Sequence, residues 1–188
     1  TSGRSKVVVY NTKTIDPDKD LPPSIMDFTD PKWKGRIGWA PTHGEWQVTL
    51  MAIKIEKGEE SAKKWLEGIK ANEPRFYPNL ISIVHAAGQG EIDVGFVNHY
   101  YVPRFLQEEG SGFGARNYYL SKGDPGAVID VAAVGVIETT KNRSHAEDFV
   151  QYMLSTEAQT YFAEQTHEYP LSAGVKPTTG LPPLASLD

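Results

Sequence analysis

Glu91-Ile92-Asp93-Val94-Gly95-Phe96-Val97-Asn98-His99-Tyr100-Tyr101-Val102-Pro103-Arg104-Phe105 is the stretch around which the rest of the chain is organised. Ile92, Val94, Phe96 and Val97 form a short apolar run of the kind a buried parallel strand needs. Four polar or aromatic residues follow, and then Pro103. Proline is tolerated only in the first turn of a helix, where its missing N–H would have had no partner. Val102, Phe105 and Leu106 give that helix an apolar side, and Gly110 ends it. The spacing predicts strand, corner and helix, with Asn98 to Tyr101 at the carboxyl end of the strand. In open α/β sheets ligands bind at such ends.

Two neighbouring side chains at a strand-to-helix corner can converge on one point, whereas on a continuing strand they would face opposite ways. Two phenols converging in a cleft are poor core packing, because each O–H needs a partner. They suit a hard trivalent cation such as Fe(III), which prefers anionic oxygen and can displace the phenolic proton. The residues alone leave a second reading open, with one tyrosine in the core and the other on the surface. That second reading is the expectation for Tyr118-Tyr119, which lies inside an apparent strand.

Upstream, Lys6 to Tyr10 reads as an apolar strand and Arg36 to Ala40 as a second, closed by Pro41. Ser24 to Phe28 fits one helical turn, interrupted by Asp30-Pro31. Thr42-His43-Gly44 is a tight turn before a helix over about 45–57, in which Trp46, Leu50 and Ile53 recur at helical spacing and Gly58 is the stop. A second helix carries Ala62, Trp65, Leu66 and Ile69 on one face. Its Trp residues are expected in packing. After a short strand at 75–77, Asn79 caps a helix that buries Leu80, Ile83, Val84 and Ala87. Downstream come a strand over 116–120, a turn at Gly123-Asp124-Pro125-Gly126, and a long β-branched strand over 127–137. Ser144 with Glu147 and Thr156 with Gln159 read as capping boxes of two helices. The first buries Ala146, Phe149, Val150 and Met153, the second Ala158 and Phe162. The tail from Pro177 reads as an extended loop. Alternating strands and helices predict α/β with a mostly parallel sheet.

The 188 residues, 39% hydrophobic and 23% charged, have the composition of an ordinary globular protein. A net charge of -5 with no basic block argues against a nucleic-acid partner. The absence of cysteine excludes disulfides, thiolate catalysis and Cys-based zinc sites. No apolar run approaches a membrane-spanning helix.

Asn98-His99-Tyr100-Tyr101 after Gly90-Glu91-Ile92-Asp93 resembles the tyrosine-pair motif of bacterial ferric-ion-binding proteins, the solute-binding components of iron ABC transporters. Trp33-Lys34-Gly35-Arg36-Ile37-Gly38, Ala40-Pro41-Thr42-His43-Gly44, Gly123-Asp124-Pro125-Gly126-Ala127 and Glu168-Tyr169-Pro170-Leu171 resemble the same family in the same order. The resemblance implies a two-lobed, periplasmic-binding-protein-like type II fold, with one lobe nearly complete and the other partial. Residues 11–127 would form the lobe carrying the tyrosine pair. Residues 1–10 and 128–188 would supply hinge strands, near Val7 to Tyr10 and Val128 to Val134, and part of the second lobe.

The resemblance also implies Tyr100 and Tyr101 as ferric-ion ligands and a synergistic anion, phosphate or carbonate, held by His43, Gly44, Asn79 and Asn98. It implies delivery to an ABC transporter permease and a periplasmic or extracytoplasmic location. Two departures stand out. His43 stands where the family often has Ser or Asn, and Glu45-Trp46 where it has aromatic or small residues, so that Glu45 could replace part of the anion's charge. The family's first segment has no counterpart before Thr1, and any further iron ligands would come from it. Apolar faces including Val131, Val134, Phe149 and Phe162 are then expected to be partly uncovered, favouring association with a second copy or with the missing N-terminal segment. Competing readings are a binding protein for an anionic organic solute or another metal, and an enzyme using Tyr100 as acid with His99 or Asp93. Against the last, no Gly-x-Ser-x-Gly, His-Glu-x-x-His or phosphate-binding glycine loop is present.

Overall fold

The computed structural model describes residues 1–178 and 180–187; Thr179 and Asp188, both within the stretch assigned above to the second lobe and its tail, lie outside the described residues. In chain order the strands are β1 (Ser2–Asn11), β2 (Ile37–Trp39), β3 (Arg75–Phe76), β4 (Val94–Asn98), β5 (Ala115–Tyr118), β6 (Ile129–Ala132) and β7 (Tyr169–Pro170). The helices are α1 (Trp46–Lys57), α2 (Glu59–Ala71), α3 (Leu80–Gln89), α4 (Tyr101–Glu109), α5 (Arg143–Met153) and α6 (Thr156–Gln165). Short 3-10 turns at Ile25–Thr29 and Pro31–Trp33 flank Asp30, as the Asp-Pro pair suggests.

The main sheet runs β3-β2-β4-β1-β5. Among the described residues only β2 pairs in parallel, with β3 and β4; β1 is antiparallel to β4, β5, β6 and β7. The expectation of a mostly parallel sheet is thus corrected to a mixed one. An apolar run records that a strand is buried, not which way its neighbour runs.

β1 also changes partners along its length. Val8 to Tyr10 lie between β4 and β5, while Ser2 to Ser5 pair with β6, and Ser2 and Gly3 also with β7. The change falls between Ser5 and Lys6, so Val7 to Tyr10, expected as hinge, lie wholly inside the main sheet. Beside the change, the Lys6 N–H donates to the Val128 carbonyl at 3.0 Å.

Successive side chains of these strands feed two cores, one on each face of the sheet. Val8, Val94 and Phe96 pack with Phe28, Trp33, Ile37 and Trp65. Val7, Val9 and Val97 pack with Leu80, Ile83, Val84 and Val102. Tyr118 packs against the first core and Tyr119, just past β5, against the second, so the expected core-and-surface pair is corrected to two half-buried rings, because both faces of this sheet are covered. On the α3 side the glycines set the spacing. A Cβ on Gly95 would lie 2.3 Å from Ile83 of α3 and one on Gly38 3.3 Å from the same side chain, so the helix seats close on the backbone of β4 and β2.

The C-terminal part departs most from expectation. The long strand at 127–137 shrinks to Ile129–Ala132, the stretch that finds a partner in Ser2 to Ser5. β-branched residues favour extended backbone, but pairing decides length. Neither capping box forms as read. α5 is preceded by Asn142, which makes no side-chain cap, and Glu147 instead pairs with Arg143 at 2.8 Å. α6 is capped by Ser155, whose hydroxyl accepts the Ala158 N–H, and Gln159 is buried against the Thr1 and Met153 carbonyls. The face expected to bury Ala146, Phe149, Val150 and Met153 buries none of them fully. Phe149 is 55% exposed, Val131 61% and Ile137 74%, beside exposed Tyr152 and Tyr161.

So many exposed large apolar side chains in the stretch from β6 to α6 are uncommon on a lone soluble protein when they form one patch. At micromolar concentration the chain is expected to bind an apolar fluorescent dye and to sediment as more than a monomer. Phe149→Glu together with Tyr161→Glu should abolish both signals. A dye-silent wild-type monomer would refute this expectation.

Candidate metal centre

The β4–α4 corner forms as the proline requires. Strand β4 ends at Asn98, Tyr100 precedes α4, and Pro103 falls in its first turn. Two hydrogen bonds fix this corner to β1. The His99 N–H donates to the Ser5 carbonyl at 3.0 Å, and the Ser5 N–H donates to His99 Nδ1 at 3.1 Å. Nδ1 therefore accepts, which leaves Nε2–H to donate to the His167 carbonyl at 2.9 Å. With His99 fully buried, its imidazole is a structural bolt and both its nitrogens are engaged.

Held this way, the tyrosines converge. The Tyr100 hydroxyl donates to the Tyr101 oxygen at 3.2 Å, with ring centroids 4.4 Å apart. Burial, then the hydrogen bond and charge of Tyr100, then Glu45, push the Tyr101 phenol above its ordinary range. At neutral pH it therefore keeps its proton.

Asn98 is fully buried, and its amide ties the pair to a charged cluster. Its Nδ2 donates to the Tyr100 oxygen at 3.2 Å and to Glu45 Oε2 at 3.2 Å, while its Oδ1 accepts from Lys6 Nζ at 2.6 Å. Lys6, only 5% exposed, also pairs with Glu45 at 3.0 Å and with Asp130 at 3.1 Å. Arg4 pairs with Glu45 at 3.3 Å and with Glu168 at 3.2 Å. Burial alone would raise the Glu45 carboxyl, but hydrogen bonds from Lys6 and Asn98 and the charges of Lys6 and Arg4 bring it down to about 2. Burial keeps Asp130 above the usual carboxylate range despite Lys6.

The other residues singled out from the sequence are less closely joined. His43 and Gly44 form the turn into α1, where His43 Nδ1 accepts the Glu45 N–H at 3.4 Å. Gly44 is exposed, and a Cβ there would meet nothing. Asn79 is the cap of α3, its Oδ1 accepting from the Ser82 N–H and hydroxyl at 2.9 Å. Among the described residues no hydrogen bond joins it to the tyrosines. Asp93, one acid–base partner considered for Tyr100, is bound to Arg36 and Thr14 instead. Arg4, Lys6, Asp130 and Glu168 escaped the sequence reading. Arg4 and Lys6 alternate along one strand, so their side chains share a face, which was the available signal.

The state of His99 gives a testable pH dependence. Burial lowers its pKa from 6.5 to about 4. Between those values the unfolded chain binds a proton that the folded chain refuses, so stability falls as pH drops from 6.5 towards 4. The loss approaches about 3 kcal/mol. His99→Asn keeps an acceptor and a donor without titrating. Urea midpoints measured across this window should therefore slope less in the variant than in the wild type. Parallel slopes would mean that His99 does not carry this pH dependence.

Comparison with known proteins places the sequence and the fold. The sequence matches the bacterial extracellular solute-binding protein family over residues 3–182. It is 38% identical over 188 residues to the major ferric iron-binding protein of Neisseria meningitidis, spanning all of this chain and 56% of that protein. It is 30% identical over 191 residues to the Fe(3+)-binding periplasmic protein of Serratia marcescens, spanning all of this chain and 55% of that protein. The fold superposes on iron-bound HitA from Pseudomonas aeruginosa with a TM-score of 0.93 at 38% identity, covering 100% of this chain and 60% of the other. It also superposes on the Trichodesmium protein IdiA (FutA), solved with iron and citrate, with a TM-score of 0.81 at 27% identity, covering 95% and 58%. The chain thus spans little more than half the length of these relatives, as one nearly complete lobe and part of a second. On its sequence match and its fold together, the chain belongs to the bacterial extracellular solute-binding protein family.

Proposed function

We propose that this chain is the ferric-ion-capturing part of a periplasmic solute-binding protein that delivers iron to an ABC transporter permease. Tyr100 and Tyr101 are the metal ligands of this lobe, which comprises residues 11–127. The single observation that carries the reading is the pair of phenol oxygens 3.2 Å apart at the β4–α4 corner. Two oxygens so placed can both bond one cation, and each gains negative charge when the cation displaces its proton. The names of the relatives, ferric iron-binding and Fe(3+)-binding proteins rather than enzymes, support the same cargo.

If a phosphate or carbonate ion completed the site, Asn98 and the turn of His43 and Gly44 would receive it, at the positive end of the α1 dipole. Asn79, already used as a cap, would join only by sharing its amide. An anionic organic solute is the second reading. Its natural hosts would be Arg4 and Lys6, but both are already paired with carboxylates. Adding ferric ion and recording the visible spectrum separates the two. A phenolate-to-iron absorption band is expected, and a colourless protein would refute ferric capture by this pair.

A further inference from the structure

We propose that Glu45 is a built-in ligand that takes, for a ferric ion on Tyr100 and Tyr101, the place of an anion from solution. This rests on the tyrosine-pair reading above. One buried amide nitrogen, Asn98 Nδ2, lies 3.2 Å from both the Glu45 carboxylate and the Tyr100 oxygen. The carboxylate is therefore already beside the phenols, in the same hydrogen-bond network. It is not there to close its own helix: Glu45 stands at the N-cap of α1 yet makes no side-chain cap bond.

Charge points the same way. Fe(III) on two phenolates retains one positive charge, and one carboxylate cancels it. A solution anion approaching the same spot would instead meet the negative charge of Glu45, at a distance where like charges repel appreciably. The cations that would attract such an anion, Lys6 and Arg4, are occupied by Glu45 itself.

The cations that hold Glu45 can also spare it. Each cation that holds it has a second carboxylate, Asp130 for Lys6 at 3.1 Å and Glu168 for Arg4 at 3.2 Å. When Glu45 turns an oxygen to the metal, neither cation, least of all the buried Lys6, loses its only counter-charge. A buried charge left alone would be costly, and this arrangement avoids it.

The test loads the 188-residue chain from ferric nitrilotriacetate and removes the chelator by gel filtration, in buffer stripped of phosphate and carbonate. Wild type, Glu45→Gln, Glu45→Ala and Tyr100→Phe are compared, with circular dichroism to verify folding. The wild type should show the same phenolate-to-iron band and the same affinity with and without added phosphate or bicarbonate. Both Glu45 variants should lose at least about tenfold in affinity in stripped buffer, the least that loss of a supporting group costs a metal site, and should regain it when either anion is added. A wild type as anion-dependent as the Glu45 variants would overturn the proposal while leaving the tyrosine pair in place. A Tyr100→Phe protein that keeps the wild-type band would overturn the tyrosine reading, and the Glu45 proposal with it.

Discussion

Tyr100→Phe and Tyr101→Phe should each abolish the ferric colour or shift it strongly, and weaken ferric binding by at least about a hundredfold. That is the upper end for loss of a mere supporting group, and here an anionic donor itself is removed. A phenyl ring fills the same space, so folding should be almost unchanged. The Tyr100 variant also deprives Asn98 Nδ2 of one acceptor, but Glu45 still receives it. Tyr118→Phe and Tyr119→Phe are the controls, since those rings belong to the two cores and not to the corner. Spectral titration with ferric ion reads all four. Wild-type colour and affinity in either corner variant would show that the pair is not the metal site.

The second large effect is on stability and comes from Lys6. Lys6→Met removes a nearly buried cation that serves Glu45, Asp130 and Asn98 at once. Glu45 keeps Arg4, but Asp130 loses the only cation paired with it among the described residues. Breaking a buried pair by deleting one partner costs about 3 kcal/mol or more, and the loss should appear as a lower urea midpoint. Its pH dependence carries the cause. Without Lys6, the Asp130 carboxyl is held still further above the usual range, so acidification protonates it and should return part of the lost stability. A loss that stays constant from neutral to mildly acid pH would assign the effect to packing of the lysine stem.

What could be seen in the sequence follows from what each feature depends on. The corner at Asn98 to Tyr101 was legible because a short apolar run, a vicinal tyrosine pair and Pro103 are all local constraints, and local constraints survive folding. The Asn79 cap of α3 was legible for the same reason. The direction of β1 was not, because it is set by partners about ninety residues and more away. The length of β6 was overestimated because Val128 to Ile137 is rich in strand-formers but only Ile129–Ala132 is paired. Ser144 and Thr156 looked like caps since Glu and Gln follow at the right interval. Each interval was satisfied by another contact, Arg143 with Glu147 and Gln159 with the Thr1 carbonyl. The charged cluster around Glu45 draws residues from β1, α1, β4, β6 and the approach to β7, and no local pattern brings those together.

The position of β1 also dictates an order of events during synthesis. It precedes in the chain every strand it pairs with, and the nearest of them, β4, begins at Val94. Until that strand leaves the ribosome, Val7, Val8 and Val9 lack every strand they pair with among the described residues. Such long waits slow folding and leave sticky segments open to wrong contacts. Nascent chains arrested before Val94 should therefore hold a holdase chaperone on Lys6 to Tyr10, and those arrested well beyond Tyr118 should release it.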